Sequence, residues 1–224
     1  MQESRSVLAE LPSEFGMPCY RLLRPGGKAV VLLHEIFGIT PYMRRLATFY
    51  AVLGYSVYVP ALFHRQASGL ALDYQRDAAL AQDLLARLDL AQLTAELLDF
   101  VAGLRQRHGR LAVVGFCLGG RLAYRLSCRE VADCAVAFYG GRIHEDLPQW
   151  GVNRCPLQLH YGQDDAMIRP QQVEQVLAFL GGKAVGYIYP DSGHGFCCSE
   201  RSTFHQATSM EAAANTLLFL NRHL

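Results

Sequence analysis

Short continuous apolar runs alternate along this chain with longer stretches in which apolar residues return every three or four positions. Ala29 to Leu33 (A-V-V-L-L), Tyr55 to Val59, Leu111 to Val114, Asp133 to Phe138, Leu157 to Tyr161 and Val185 to Tyr189 read as strands. Unbroken runs, rather than strict alternation, suit strands covered on both faces. Cys19 to Leu23 reads as a further short strand. Between the runs lie helical patterns: Pro41 to about Leu53, opened by a Thr40 cap and closed by Gly54; Asp73 to Arg87 on Leu80, Leu84 and Leu88; and Leu90 to Arg107 on Leu93, Leu97, Phe100 and Leu104. Arg121 to Leu126, Pro170 to Leu180 and His205 to Leu224 follow suit. Ala61 to Gly69, the stretch from Gly140-Gly141 through Trp150 to Pro156, and Pro190 to Ser199 read as loops.

Strands alternating with helices predict an α/β fold: a mostly parallel sheet with helices on both faces, here as a single domain over residues 1–224. Ligands of such sheets bind beyond the carboxyl ends of the strands. Glu35, Cys117, Asp164 and His194 all fall at predicted strand ends.

Composition narrows the function classes. A formal net charge of +1 leaves no clustered excess of Lys and Arg for nucleic acid or an anionic membrane, so small-molecule partners are expected. No run approaches the roughly eighteen apolar residues of a membrane span, and Met1 to Met17 carries charges where a leader needs an apolar core. The seven cysteines are odd in number and lack C-x-x-C spacing, which argues against a disulfide framework and a zinc site. The expectation is a soluble cytoplasmic protein with reduced thiols.

The candidate chemistry centres on Leu111 to Gly120, L-A-V-V-G-F-C-L-G-G. A buried strand breaks at Gly115, and a helix begins after Gly119, so Cys117 sits in a strand-to-helix turn. That is the setting in which G-x-S-x-G presents a strained, exposed nucleophile, with a thiol here in place of the hydroxyl. Cys117 reads either as that nucleophile or as a small core residue, and its partners elsewhere in the chain decide. A thiol nucleophile needs a base, and the base needs a carboxylate to orient it. His194, in S-G-H-G-F, supplies the base. Asp164 supplies the acid, with its neighbour Asp165 as competitor. The backbone N–H groups of Ile36 and Leu118 are placed to hold a developing oxyanion. Glu35, an acid at the end of an apolar strand, reads either as an ion-paired structural carboxylate or as an acceptor of the thiol proton.

Four segments, H-E-I-F-G-I at 34–39, G-F-C-L-G-G at 115–120, G-Q-D at 162–164 and G-H-G-F at 193–196, together closely resemble the dienelactone hydrolases, the cysteine branch of the α/β-hydrolase superfamily. The resemblance implies a monomeric cytoplasmic hydrolase without cofactor, with Cys117, Asp164 and His194 as triad and Glu35 as acceptor of the thiol proton. It places Phe37 at the substrate and assigns the substrate carboxylate to two arginines. Arg76 matches the first. The second would follow the histidine motif as G-H-S-F-A-R, where this chain has Gly195 for the serine and Cys198 for the arginine, with Arg201 three residues further on. The expected activity is hydrolysis of a small ester or lactone through an acyl-cysteine. The alternatives are a redox-sensing thiol protein, using Cys117 or the Cys197-Cys198 pair, and a thioesterase or acyltransferase.

Overall fold

Ala29 to Leu33 lose all contact with solvent on folding, and the sheet is built outward from them. The computed structural model describes residues 11–67 and 69–224. The first ten residues of the segment read above as lacking a leader, and Ser68 in the Ala61 to Gly69 loop, lie outside these. Eight strands form one sheet: β1 (Ser13–Glu14), β2 (Met17–Leu22), β3 (Lys28–Leu33), β4 (Ser56–Pro60), β5 (Arg110–Phe116), β6 (Cys134–Phe138), β7 (Leu157–Gly162) and β8 (Ala184–Tyr189), in the order β1-β2-β4-β3-β5-β6-β7-β8. β1 and β2 run antiparallel at one edge, and β4 through β8 are parallel with β3.

Among the described residues six α-helices lie between the strands and a seventh follows the last: α1 (Pro41–Val52), α2 (Ala78–Ala86), α3 (Leu90–Arg107), α4 (Leu118–Ser127), α5 (Ile143–Trp150), α6 (Pro170–Leu180) and α7 (Gln206–His223). The Thr40 hydroxyl accepts from the Met43 N–H and Pro41 opens α1, as the sequence indicates. Asp89 caps α3 in the same way through the Gln92 N–H. Among the described residues no helix is long and apolar enough to cross a membrane.

Two helices depart from expectation. The helix anticipated from Asp73 starts only at Ala78, because the Asp73 carboxylate takes the Gln75 and Arg76 N–H groups into a local turn. The stretch leading to Trp150 was expected as loop and instead contains α5, which begins after a left-handed Arg142 and contains Pro148. It is eight residues long and carries Pro148, so although Ile143, Leu147 and Trp150 fall at helical spacing, the repeat is too short to stand out between turn residues.

The chain passes from β3 to β4 on one side and then crosses back over β3 to enter β5 on the other. The order therefore reverses between β3 and β5, which is where an open α/β sheet leaves a crevice at its carboxyl edge. Gly119, in the first turn of α4, lies so close to β3 that a Cβ there would stand 2.1 Å from the Leu33 carbonyl oxygen, and one on Gly115 would stand 1.9 Å from the Gly119 oxygen. Backbone blocks both positions, so no side chain fits. Gly115→Ala and Gly119→Ala are each expected to lose at least about 2 kcal/mol of stability, whereas Gly182→Ala, with open space around it, stays within about 0.5 kcal/mol. Urea denaturation midpoints measure this, and equal midpoints for all three variants would refute the rigid approach.

Candidate active site

The turn between β5 and α4 forces Cys117 to φ 53° and ψ −112°, a conformation that costs an L-residue roughly 1–3 kcal/mol and persists because the glycines on either side lock it. Its N–H donates to the Phe138 carbonyl at 3.0 Å, tying the turn to the end of β6. The other six cysteines are buried, while Cys117 is only partly so. Burial raises the pKa of each of these six, Cys19 and Cys155 to about 12.

His194 arrives on the loop after β8. Its Nδ1 bonds Asp165 Oδ2 at 2.8 Å, and Tyr139, itself at φ 37°, sets its ring edge-on at 5.1 Å. The carboxylate expected at Asp164 is thus one residue further along. Asp165 is buried, and its Oδ1 accepts from the Met167 and Ile168 N–H groups, which fixes the carboxylate and leaves Oδ2 for the histidine. Asp164 is exposed, and its N–H donates to Ser192 O at 3.0 Å, joining the acid loop to the histidine loop. His194 Nε2 makes no hydrogen bond of good geometry. Burial alone would depress this imidazole, but the Cys117 sulfur and the Asp165 carboxylate outweigh it and push it up to about 10.

Glu35 leaves the end of β3 with its side chain only 1% exposed, and Arg201 Nη1 meets its Oε1 at 3.1 Å. Glu35 Oε2 has no partner among the described residues. The Arg201 guanidinium lies 5.6 Å from the Phe37 ring centroid and 5.5 Å from that of Tyr74. A Cβ on Gly195, which stands at φ 80°, would come within 2.7 Å of Arg201 Cδ. The glycine in place of the motif serine therefore provides the space that Arg201 fills. Arg201 thus turns inward to Glu35 rather than out into solvent.

The remaining expected substrate contacts differ. Cys198 is fully buried against Tyr74 and Glu35, and Phe37 is buried as the platform under Arg201 and Tyr74. Arg76 is exposed, pairs with Asp73, and lies on a separate cavity with Arg44 and Glu200. The cavity at the thiol has a volume of about 470 Å³; Cys117, His194, Ile36 and Leu118 line it, with Arg121 and Arg142 as its cations. Arg121 donates from Nε and Nη2, one edge of its guanidinium, to both oxygens of the buried Asp146. Arg142 pairs only with Glu145 at the surface, a contact worth under about 1 kcal/mol. The sequence offered little sign of Arg142, beyond its place after the Gly140-Gly141 turn at a strand's carboxyl end. Among the described residues no group of His, Cys, Asp or Glu side chains is arranged to hold a metal ion.

Similar chains define the class. The sheet and its helices form the α/β-hydrolase fold: the structure of a putative dienelactone hydrolase from Klebsiella pneumoniae superposes with a TM-score of 0.76 at 25% identity, covering 90% of this chain and 91% of that one. Carboxymethylenebutenolidase 1 of Cupriavidus pinatubonensis is 32% identical over 200 residues, covering 85% of this chain and 84% of the relative. The carboxymethylenebutenolidase of Rhodococcus opacus is 32% identical over 216 residues, covering 88% and 82%. With residues 21–224 matching the family's model, the chain belongs to the dienelactone hydrolase family. It is an ester or lactone hydrolase.

The raised imidazole means that the folded protein keeps a proton the unfolded chain releases above about pH 6.5. Its stabilisation is complete below that pH and is lost as pH rises through about 10. Asp165→Asn removes one of the groups that raise it, so the fall in urea midpoint between pH 7 and about pH 10.5 should be smaller in this variant than in the wild type. Asp165→Asn is also expected to lower kcat/KM for ester hydrolysis at least about tenfold, and Asp164→Asn less than about twofold. The reverse ranking would return the acid to Asp164.

Proposed function

We propose that the chain opens a small lactone or cleaves a small ester through an acyl-cysteine intermediate at Cys117. The observation that carries this reading is the convergence of a strained Cys117, His194 and its Asp165 partner on one cavity. The relatives' name, carboxymethylenebutenolidase, supports a lactone as substrate.

In this mechanism the thiol proton passes to Glu35 Oε2, the oxygen that Arg201 leaves without a partner. The thiolate, balanced by protonated His194, attacks the acyl carbon, and a C–S bond forms. The Ile36 and Leu118 N–H groups hold the oxyanion. When the C–O bond breaks, the leaving alkoxide takes the His194 proton; in a lactone it remains tethered to the acyl group. Neutral His194 then deprotonates a water molecule that attacks the thioester, the C–S bond breaks, and Glu35 returns its proton to sulfur. Asp165 keeps the imidazole in the required tautomer throughout.

The redox alternative finds little support at Cys197 and Cys198, which are buried and whose thiols burial pushes up, Cys198 to about 12, so thiolate is scarce. Free thiols throughout support a reducing, cytoplasmic setting, and family resemblance supports a monomer.

Cys117→Ala is expected to abolish hydrolysis of 4-nitrophenyl acetate, and rapid quenching of the wild type should give an acetylated peptide containing Cys117 by mass spectrometry. Retained turnover in the variant would sink the mechanism.

A further inference from the structure

The cavity beside Cys117 has an apolar wall that meets water. Leu85, Leu88 and Leu90, from the end of α2 to the start of α3, are half-buried there, and Met167, 59% exposed, faces the same space. Ile36 and Leu118 extend the apolar lining as far as the thiol. Apolar side chains held partly in water around a catalytic cavity gain by covering an apolar part of a ligand. The volume of about 470 Å³ falls in the range of sites that enclose whole small-molecule ligands, which leaves room for a body of several carbons beside the reacting group.

Among the described residues, each cation that lines this cavity already has its carboxylate. Arg121 donates from Nε and Nη2 to both oxygens of Asp146, whose side chain is 3% exposed. Arg142 donates from Nε to both oxygens of Glu145 at 2.9 Å, and its Nη2 lies 2.8 Å from Oε2. His194 is held by Asp165. A substrate carboxylate would have to displace one of these partners, exchanging one ion pair for another with no net gain. It would also shed its own water beside leucine side chains, at a cost that the exchange does not offset.

The arginines that the resemblance assigns to a substrate carboxylate are engaged elsewhere. Arg76 lies on the separate cavity with Arg44 and Glu200, and position 198 is a buried cysteine. Arg201 is not part of the lining at the thiol; it is bonded to Glu35 and lies over the Phe37 and Tyr74 rings. Drawing it out of that pair in the resting protein would strand a carboxylate that is 1% exposed.

We infer that the substrate is uncharged: an ester or lactone without a carboxylate, whose apolar body of several carbons lies on the wall formed by Leu85, Leu88, Leu90 and Met167. The inference rests on the cysteine hydrolase reading above for its chemistry, but its binding part can be read without turnover.

The test uses two series of esters, 4-nitrophenyl esters of the unbranched two- to eight-carbon acids and acetates of the corresponding alcohols. The six- and eight-carbon members are each matched with a counterpart bearing a terminal carboxylate. In at least one series kcat/KM should rise about fivefold or more from the two-carbon member to the best longer one, well within the roughly fourfold that each fully buried methylene could supply. A smaller rise in both series overturns the inference. In the series that rises, the terminal carboxylate should lower kcat/KM about fivefold or more; a smaller loss, or a gain, overturns the inference and returns an anion to Arg142 or Arg201. Met167→Ser should shrink the gain with chain length about twofold or more, and a gain that shrinks less takes the apolar body off this wall. For the readout without turnover, 1-hexanol should slow alkylation of Cys117 by iodoacetamide, followed by mass spectrometry, more than hexanoate does at the same concentration. Equal or greater protection by hexanoate, or none by 1-hexanol, overturns the inference. An active Cys117→Ala would remove the acyl-cysteine reading and leave protection by 1-hexanol standing, so the two failures are distinguishable.

Discussion

The close approach of α4 to the ends of β3 and β5 is the constraint on which the site depends. Leu33 and Gly115 are partners in register, so Glu35 and Cys117, each two residues beyond, leave the sheet side by side. Glycine at 119 allows the helix to sit against the Leu33 carbonyl, and that contact stops the chain from relaxing out of the conformation that Cys117 adopts. The strain at the thiol is therefore carried by backbone packing two strands wide. A looser turn would return Cys117 to the interior, where the other thiols lie.

Charge in the site follows one rule: what is buried is paired. Glu35 faces Arg201, Asp165 faces His194, and Asp146 holds Arg121 and Arg125. Separating either partner from such a pair strands a charge away from water, at a cost of several kcal/mol. Two of the buried polar atoms that lack a hydrogen-bond partner among the described residues, Glu35 Oε2 and His194 Nε2, belong to the groups to which proton transfer is assigned. Framework histidines behave differently. His160, enclosed between Phe138 and Tyr187, is depressed to about 3 by burial, and His34, bonded to Glu35 O and to the Leu62 N–H, to about 4. They act as neutral spacers.

The parallel strands were legible because burial on both faces writes itself as an unbroken apolar run, and the positions of Cys117 and His194 followed from the turns that end such runs. What the sequence did not disclose depends on single atoms. Asp164 and Asp165 are alike in composition, and only the cap over Met167 and Ile168 selects the one that turns inward. Arg76 occupies the expected place along the chain, yet the local turn at Asp73 keeps that segment out of the helix and the side chain in solvent. Arg142 had only its place after the Gly140-Gly141 turn to mark it, because α5 is too short for its apolar repeat to stand out.

The exchange around the histidine loop has a consequence for how such a chain can change. Arg201 reaches Glu35 through a volume that a single β-carbon at position 195 would occupy, so the two positions are energetically coupled. A serine at 195 would press on the Arg201 guanidinium and force it to shift against Glu35, and an arginine at 198 would bring a second cation to a position that is fully buried. A β-carbon at position 195 and the Arg201 guanidinium compete for one volume, so a residue six positions away in the chain decides how the buried Glu35 keeps its cation.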